Sequence, residues 1–368
     1  MSEILDKATE FAKQYIQPVA QELDEESAFP QDILTKLHEE RYLELLVPED
    51  LGGLGGDIVD LVEVTWAFAK ESATVGLTYL MHNVALAAVI QAAKEETKKQ
   101  IAKEVKEEGK FLALAYSETS GGVETRKPDR TVAKKEGDTW TLNGAKSMVT
   151  SATFADYYVI IAKDAQEEED PKNFIVAKDD PGVSFKMEWW SGLGMRGNVS
   201  CPMFMDGVQV PDSYRLDNPK THAVFLAGLA AVYSGLNMAI AKEAIDHTQD
   251  RQYPDGHKLA EVDAIKGHLS AIYSKAMAGT ALTKQAAQAG RDDLEAAFPQ
   301  ILAARVVATE NVIESANLGM RIGGGRAYTG YKNFELYLRN ALASQVMAPS
   351  LDMLQEWIGE TLTGQEMD

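Results

Sequence analysis

The chain has 368 residues, with 36 Lys and Arg against 56 Asp and Glu and a formal charge of −20, so bulk charge repels a nucleic acid or other polyanion. Its 45 % hydrophobic and 25 % charged residues exclude wholesale disorder, and at about 150 residues per domain the length allows two or three domains. The single cysteine, Cys201, excludes an internal disulfide framework, no uninterrupted apolar run reaches a membrane span, and the opening Met1-Ser2-Glu3-Ile4-Leu5-Asp6 is acidic; together these set the expectation of a soluble cytoplasmic protein.

From residue 1 to about 110 the pattern is helical. Phe11, Tyr15, Ile16 and Val19 fall on one helix face. Phe29-Pro30 and the turn-rich segment 48–57 interrupt the pattern, and a helix is predicted after Gly56 through Trp66 and Phe68. An apolar helix over about 81–93 carries His82, which reads as a core or surface histidine rather than a catalytic one. The charged run 94–110 reads as a solvated helix surface.

From 111 to about 211 the texture becomes strand-like. Asn143-Gly144, inside segment 139–149, is a type I′ hairpin signal. Short strands are predicted over 157–162, 173–177, 183–187 and 204–211, a spacing that suggests a small antiparallel barrel. Beyond about 212, four long helices over 224–252, 261–289, 295–321 and 333–362 suit a bundle. The expected fold is α+β: an N-terminal helical domain (1–110), a central antiparallel β-barrel domain (111–212) and a C-terminal four-helix bundle (213–368).

Few motifs carry chemistry by themselves. Gly323-Gly324-Gly325, between Arg321 and Arg326, suits an anion held by open backbone and guanidinium groups, and equally suits a helix C-cap and turn. Gly52-Gly53-Leu54-Gly55-Gly56 follows no strand, so it is no dinucleotide fingerprint. Tyr116-Ser117-Glu118-Thr119-Ser120-Gly121-Gly122 offers hydroxyls and glycines to a planar polar cofactor, or forms an ordinary turn. The histidines lack metal-ligand spacing, and Cys201 has no neighbour to activate it. Met277, Met320, Met347 and Met353 read as core packing that would also suit an apolar acyl chain.

In their order and spacing these signals resemble the acyl-CoA dehydrogenase flavoprotein family over nearly the whole chain. The likeness rests on Leu46-Val47-Pro48-Glu49-Asp50-Leu51-Gly52-Gly53-Leu54-Gly55, on the 116–124 segment, and on Leu142-Asn143-Gly144-Ala145-Lys146-Ser147-Met148-Val149-Thr150-Ser151. Gly194-Met195-Arg196-Gly197-Asn198, Val208-Gln209-Val210-Pro211, Arg251 and the stretch from Arg321 to Tyr328 supply further fixed points. The resemblance implies FAD between the β domain and the bundle, reaching a neighbouring subunit. Ser117 and Thr150 would hydrogen-bond the flavin ring, with Tyr116 and Met148 beside it and Gly122 and Val123 in the same segment. Arg251, Arg321, Gly324 and Gly325 would reach the pyrophosphate and adenosine end from the partner subunit, and Ser350 would supply another flavin-contacting hydroxyl.

The chemistry implied is α,β-dehydrogenation of an acyl thioester, acyl-CoA or another carrier ester, in fatty acid metabolism. An electron-accepting flavoprotein and a homodimer or homotetramer complete the expectation. The family's usual glutamate position holds Ala348, followed by Pro349; its alternative position on the first bundle helix holds Phe225, followed by Leu226 where an arginine is common. Neither alanine nor phenylalanine accepts a proton. Asp352, one helical turn beyond Ala348, is the nearest carboxylate in sequence and the candidate substitute base, or else a surface carboxylate. Two other outcomes stay open: a monooxygenase-like relative fed with reduced flavin, and a flavin-binding protein that has lost the dehydrogenase activity.

Overall fold

The computed structural model describes residues 2–118, 127–167 and 170–365. The N-terminal part contains α1 (Glu3–Phe11), α2 (Ala20–Glu25), α3 (Gln31–Glu39), α4 (Ile58–Glu71), α5 (Ala73–Ala92) and α6 (Glu95–Glu108). Leu5, Ala8 and Phe11 are the buried residues of α1. The Phe11 ring meets Tyr42 edge-on at 5.1 Å. A reciprocal capping box starts α4: Asp57 accepts from the Val59 and Asp60 amides at 2.7 and 3.2 Å, while the Asp60 carboxylate accepts from the Asp57 amide at 3.1 Å.

The helix α5 is apolar on every face and buried on nearly every face, as its composition requires. The His82 ring on α5 meets the Leu43 carbonyl at 2.7 Å and the Leu112 amide at 3.0 Å. The amide can only donate, so Nδ1 accepts and Nε2–H donates. Burial holds this imidazole down at about 4, and it ties the first helices to the first strand as a satisfied core histidine.

The central sheet comprises β1 (Leu112–Ala115), β2 (Val132–Glu136), β3 (Thr139–Val149), β4 (Tyr157–Asp164), β5 (Lys172–Ala177), β6 (Val183–Phe185), β7 (Cys201–Pro211) and β8 (Arg215–Leu216). Its order is β6-β7-β3-β2-β4-β5-β8, with β1 added on β4. Most pairings are antiparallel, but β1 and β2 both run parallel to β4, so the sheet is mixed. Asn143-Gly144 does not turn a hairpin. The β2–β3 turn is made at Gly137, whose φ is +64°, while Asn143-Gly144 is a bulge within β3 where the register against β7 shifts. Gly144 sits at φ +147° with the Thr131 backbone against it, and the Asn143 side chain accepts from the Gly207 amide at 2.9 Å. The local signal marked a glycine-requiring backbone; the cross-strand partner decided which kind.

The C-terminal part contains α7 (His222–Asp250), α8 (Asp263–Asp292), α9 (Phe298–Gly323), α10 (Gly325–Tyr328), α11 (Phe334–Val346) and α12 (Leu351–Thr363). The helix predicted over 333–362 is therefore two helices. Pro349 has no amide proton to continue α11, and Ser350 caps α12, its hydroxyl accepting from the Met353 amide at 3.4 Å. Gly324, at φ +55°, closes α9 with its amide on the Met320 carbonyl at 2.9 Å, the C-cap arrangement. Two helices, α5 and α7, do combine the length and hydropathy of a membrane span, contrary to expectation. Occasional polar residues hide this from a count of unbroken runs, and 94 % and 89 % of their most apolar windows are buried inside the molecule.

Candidate functional site

A cavity of about 950 Å³ opens where the three parts meet. Leu77, Met81 and Val84 line it from α5, their spacing of four and three placing them on one helix face. Tyr116, Ser117, Met148 and Thr150 come from the sheet side, Phe225 from α7, and Met347 and Ala348 from the end of α11. Trp189 and Trp190 line the wall that β6 and β7 hold out.

The sheet side is positioned by a buried ion pair. Lys146, with no side-chain exposure, meets Glu118 at 2.7 Å. Glu118 also accepts from the amides of Asp129, Arg130 and Thr131 at 3.0, 2.8 and 3.1 Å. Burial raises this carboxyl, but Lys146 and the amides more than offset it and hold Glu118 below its ordinary value. Burial also lowers the Lys146 ammonium. The Ser147 amide donates to the Ser117 carbonyl at 2.8 Å, which holds the Ser117 segment alongside β3. Tyr116 donates to the Asn173 side chain at 2.5 Å, so its ring stands against the cavity with the hydroxyl satisfied. At the end of β3 the Thr150 and Ser200 hydroxyls lie 3.0 Å apart, and Ser200 donates to Asn198 at 3.0 Å.

The wall between sheet and bundle is clamped to α11. A Cβ on Gly194 would stand 2.3 Å from the Arg339 carbonyl oxygen, so only glycine allows this approach. Next to it the Met195 amide donates to the Asn340 side chain at 2.7 Å. Arg339 meets Asp24 of α2 at 2.6 Å and Glu335 at 2.7 Å, joining the first helices to α11. Val199 closes the loop at φ +45°, a left-handed conformation that is strained for a β-branched residue. Backbone strain of this kind concentrates at binding sites held by rigid surroundings.

Tyr116, Ser117, Met148 and Thr150 are thus brought together on the cavity wall, as are both positions where the family resemblance placed a base, Ala348 and Phe225. Arg251, Arg321, Gly324, Gly325 and Ser350 do not line it. Arg251 ends α7, whose 29 residues span about 43 Å from the Phe225 end, and Gly324 and Gly325 are the exposed turn after α9. Gly122 and Val123 lie outside the described residues. Asp352 is exposed in the first turn of α12 and does not line the cavity. Its supposed place one turn beyond Ala348 assumed a continuous helix, and the break at 347–350 removes that relation. Ser350 has its hydroxyl engaged as the cap of α12.

Among the described cavity-lining residues there is no Asp or Glu. Among the other lining residues are His222, Arg339 and Trp190. His222 lies three residues before Phe225, on the same face of α7, which is the one sequence signal that points to it. Trp190 is held by its indole N–H on the Arg196 carbonyl at 2.8 Å, a contact that only the folded loop creates.

Family models for the acyl-CoA dehydrogenase N-terminal, middle and C-terminal domains match residues 1–109, 113–208 and 227–363. A Mycobacterium tuberculosis protein described as a probable acyl-CoA dehydrogenase is 26 % identical over 348 residues, covering 91 % of this chain and 88 % of the relative. The 3-(aryl)acrylate reductase of Clostridium sporogenes is 29 % identical over 343 residues, 90 % of each chain. The structure of butyryl-CoA dehydrogenase from Megasphaera elsdenii superimposes with a TM-score of 0.91 at 21 % identity, over 99 % of each chain. With three consecutive domain models matched along its length, the chain belongs to the acyl-CoA dehydrogenase family.

Proposed function

We propose that this protein is a flavin-dependent oxidoreductase that works on the α,β bond of an acyl thioester, with FAD as its flavin. The observation that carries this reading is the large cavity shared by sheet and bundle, polar on the sheet side and apolar between α5 and α7. The residues present fit a flavin. Ser117 offers a hydroxyl donor and Thr150 a hydroxyl acceptor to the polar edge of a planar ring, Met148 and Trp190 offer it apolar surface, and about 950 Å³ lies near the top of the range for drug-sized ligands. When bound, the flavin supplies a two-electron acceptor for hydride. The apolar side, with Leu77, Met81, Val84 and Met347, would take an acyl chain and exclude water from it.

Arg251 supports an assembly of two or more copies. The Arg251, Arg326 and Lys332 cations surround buried His247 and, after burial itself, help to hold that imidazole below its ordinary value. This basic cluster stands a full α7 length from its own cavity, so it serves a cofactor phosphate only in a second copy. The electron acceptor proposed is another flavoprotein, and the compartment the cytoplasm.

The purified protein is expected to carry flavin absorbance that bleaches on anaerobic addition of an acyl-CoA. If acyl-CoA binds without bleaching across short, medium and long chains, the reading is wrong. The two vacated carboxylate positions, Ala348 and Phe225, favour a second reading, a monooxygenase-like relative. That reading predicts NADH-linked oxygen consumption when reduced flavin is supplied, and no bleaching by acyl-CoA.

A further inference from the structure

Asn173 of β5 is a polar side chain on the cavity wall that its neighbours satisfy at one end only. It is 6 % exposed and lines the cavity, as does Ile161, its cross-strand partner on β4. Tyr116 approaches the Asn173 Oδ1 at 2.5 Å, a separation that suits O–H···O and is shorter than N–H···O pairs reach. Burial pushes the Tyr116 phenol far above its ordinary value, so it keeps its proton. The phenol therefore donates, Oδ1 accepts, and Nδ2 with its two protons is turned away from Tyr116.

Among the described residues this nitrogen has no hydrogen-bond partner, and it is not sealed off from the cavity. A donor left unpaired at such depth is costly, and a ligand oxygen that meets it gains accordingly. The surroundings show which part of the cavity it serves. Tyr116 and Ser117 continue from β1, and the Ser117 carbonyl pairs with the Ser147 amide as a strand residue would, so their side chains point to opposite faces. The Ser117 hydroxyl is the one that suits the flavin edge, and the Tyr116–Asn173 pair faces elsewhere. β1 packs on α5, where the Leu112 amide meets His82 at 3.0 Å, and α5 supplies the apolar wall that suits an acyl chain.

Resting on the function proposed above, we infer that Asn173 is a specificity-determining residue whose amide donates to an uncharged oxygen carried on the acyl chain away from the reacting bond. The substrate class is then an acyl thioester with an oxo, hydroxyl or ether oxygen on its chain, rather than a plain hydrocarbon ester. The amide is neutral, and Arg339, the guanidinium among the described lining residues, is already paired with Asp24 and Glu335. A neutral oxygen therefore suits this wall better than a carboxylate.

Binding can be read separately from oxidation with 2-enoyl-CoA esters, which have no α,β single bond left to oxidise. Isothermal titration calorimetry of the flavin-loaded protein compares each ester with its analogue carrying a carbonyl in place of one methylene, moved in turn along the chain beyond Cγ. At one position the oxo ester is expected to bind about 10- to 100-fold more tightly than its hydrocarbon match. Asn173→Leu is expected to bring that ratio close to one. Asn173→Leu with Tyr116→Phe removes both polar partners together and leaves neither unpaired, and its ratio is also expected to be close to one. No oxo preference at any position in the wild type, or a preference that survives in the double variant, overturns the inference. So does a loss of flavin retention in Asn173→Leu with the oxo preference intact, which would assign the amide to the flavin. The functional reading fails separately, when bound acyl-CoA of any chain length leaves the wild-type flavin unbleached.

Discussion

At the scale of single residues, the site depends on a buried charge pair that does not itself line the cavity. Lys146 and Glu118 hold the Ser117 segment against β3, and removal of one partner leaves the other charge buried without its counter-ion. Lys146→Met is expected to lower stability by about 3–5 kcal/mol, measured by denaturant unfolding. The pH dependence follows from the sign of the Glu118 shift. Its folded value lies below the ordinary 4.5, so the unfolded chain binds the proton first and the contribution is complete above 4.5. It is lost as pH falls through the lower folded value. Glu118→Gln is expected to flatten the acid limb of stability against pH; an unchanged limb would show that Glu118 carries none of it. Lys146 was visible in the sequence as part of the Asn-Gly-x-Lys hairpin resemblance. Its partner was not, because a contact 28 residues apart leaves no local period.

At the scale of elements, the decisive contact is between the 190–200 loop and α11. The Arg339 carbonyl faces Gly194 at a distance no side chain tolerates. Gly194→Ala is expected to push loop and helix apart, at a cost of about 1–3 kcal/mol, and to weaken flavin retention because Trp190 and Met195 move with the loop. A thermal scan with flavin release as second readout checks this, and an unshifted midpoint in both refutes it. Helices α4 and α7 were readable from long apolar segments bounded by turn residues, whereas the apolar helix expected over 81–93 begins earlier, at Ala73. The last bundle helix was not read correctly. Apolar residues continue at helical spacing on both sides of Pro349, so periodicity joined what the missing amide separates. The Asn143-Gly144 signal failed for a related reason, since a hairpin turn and a bulge ask for the same residue types.

For the whole molecule, the length of α7 separates the cavity from Arg251. Its first turns line the cavity with His222 and Phe225, and its last residue leads into Arg251 about 40 Å away. Arg251→Ala is expected to weaken flavin binding by about 10- to 100-fold through loss of a charge-assisted phosphate contact. Sedimentation should show assemblies of two or more copies, with flavin retention falling when they dissociate. Tight flavin binding by a stable monomer, unaffected by Arg251→Ala, would remove the inter-subunit role. The −20 charge is no obstacle to such a cofactor. Bulk charge governs approach from a distance, while a few local cations hold a diphosphate.

The amino-acid sequence by itself determined the α+β class, the succession of helical, sheet and helical parts, the family, and the residue types at Ser117, Thr150, Phe225 and Ala348. Those follow from periodicity, turn chemistry and motif order, all of which are written along the chain. Only the tertiary structure decided which side chains share the cavity. It set Asp352 out in solvent beyond a helix break, tied Glu118 to Lys146, and brought His222, Phe225 and Ala348 to one cavity wall. The reason is geometric: the faces of helices are fixed by packing between distant segments, and a one-residue interruption such as Pro349 reorients everything after it.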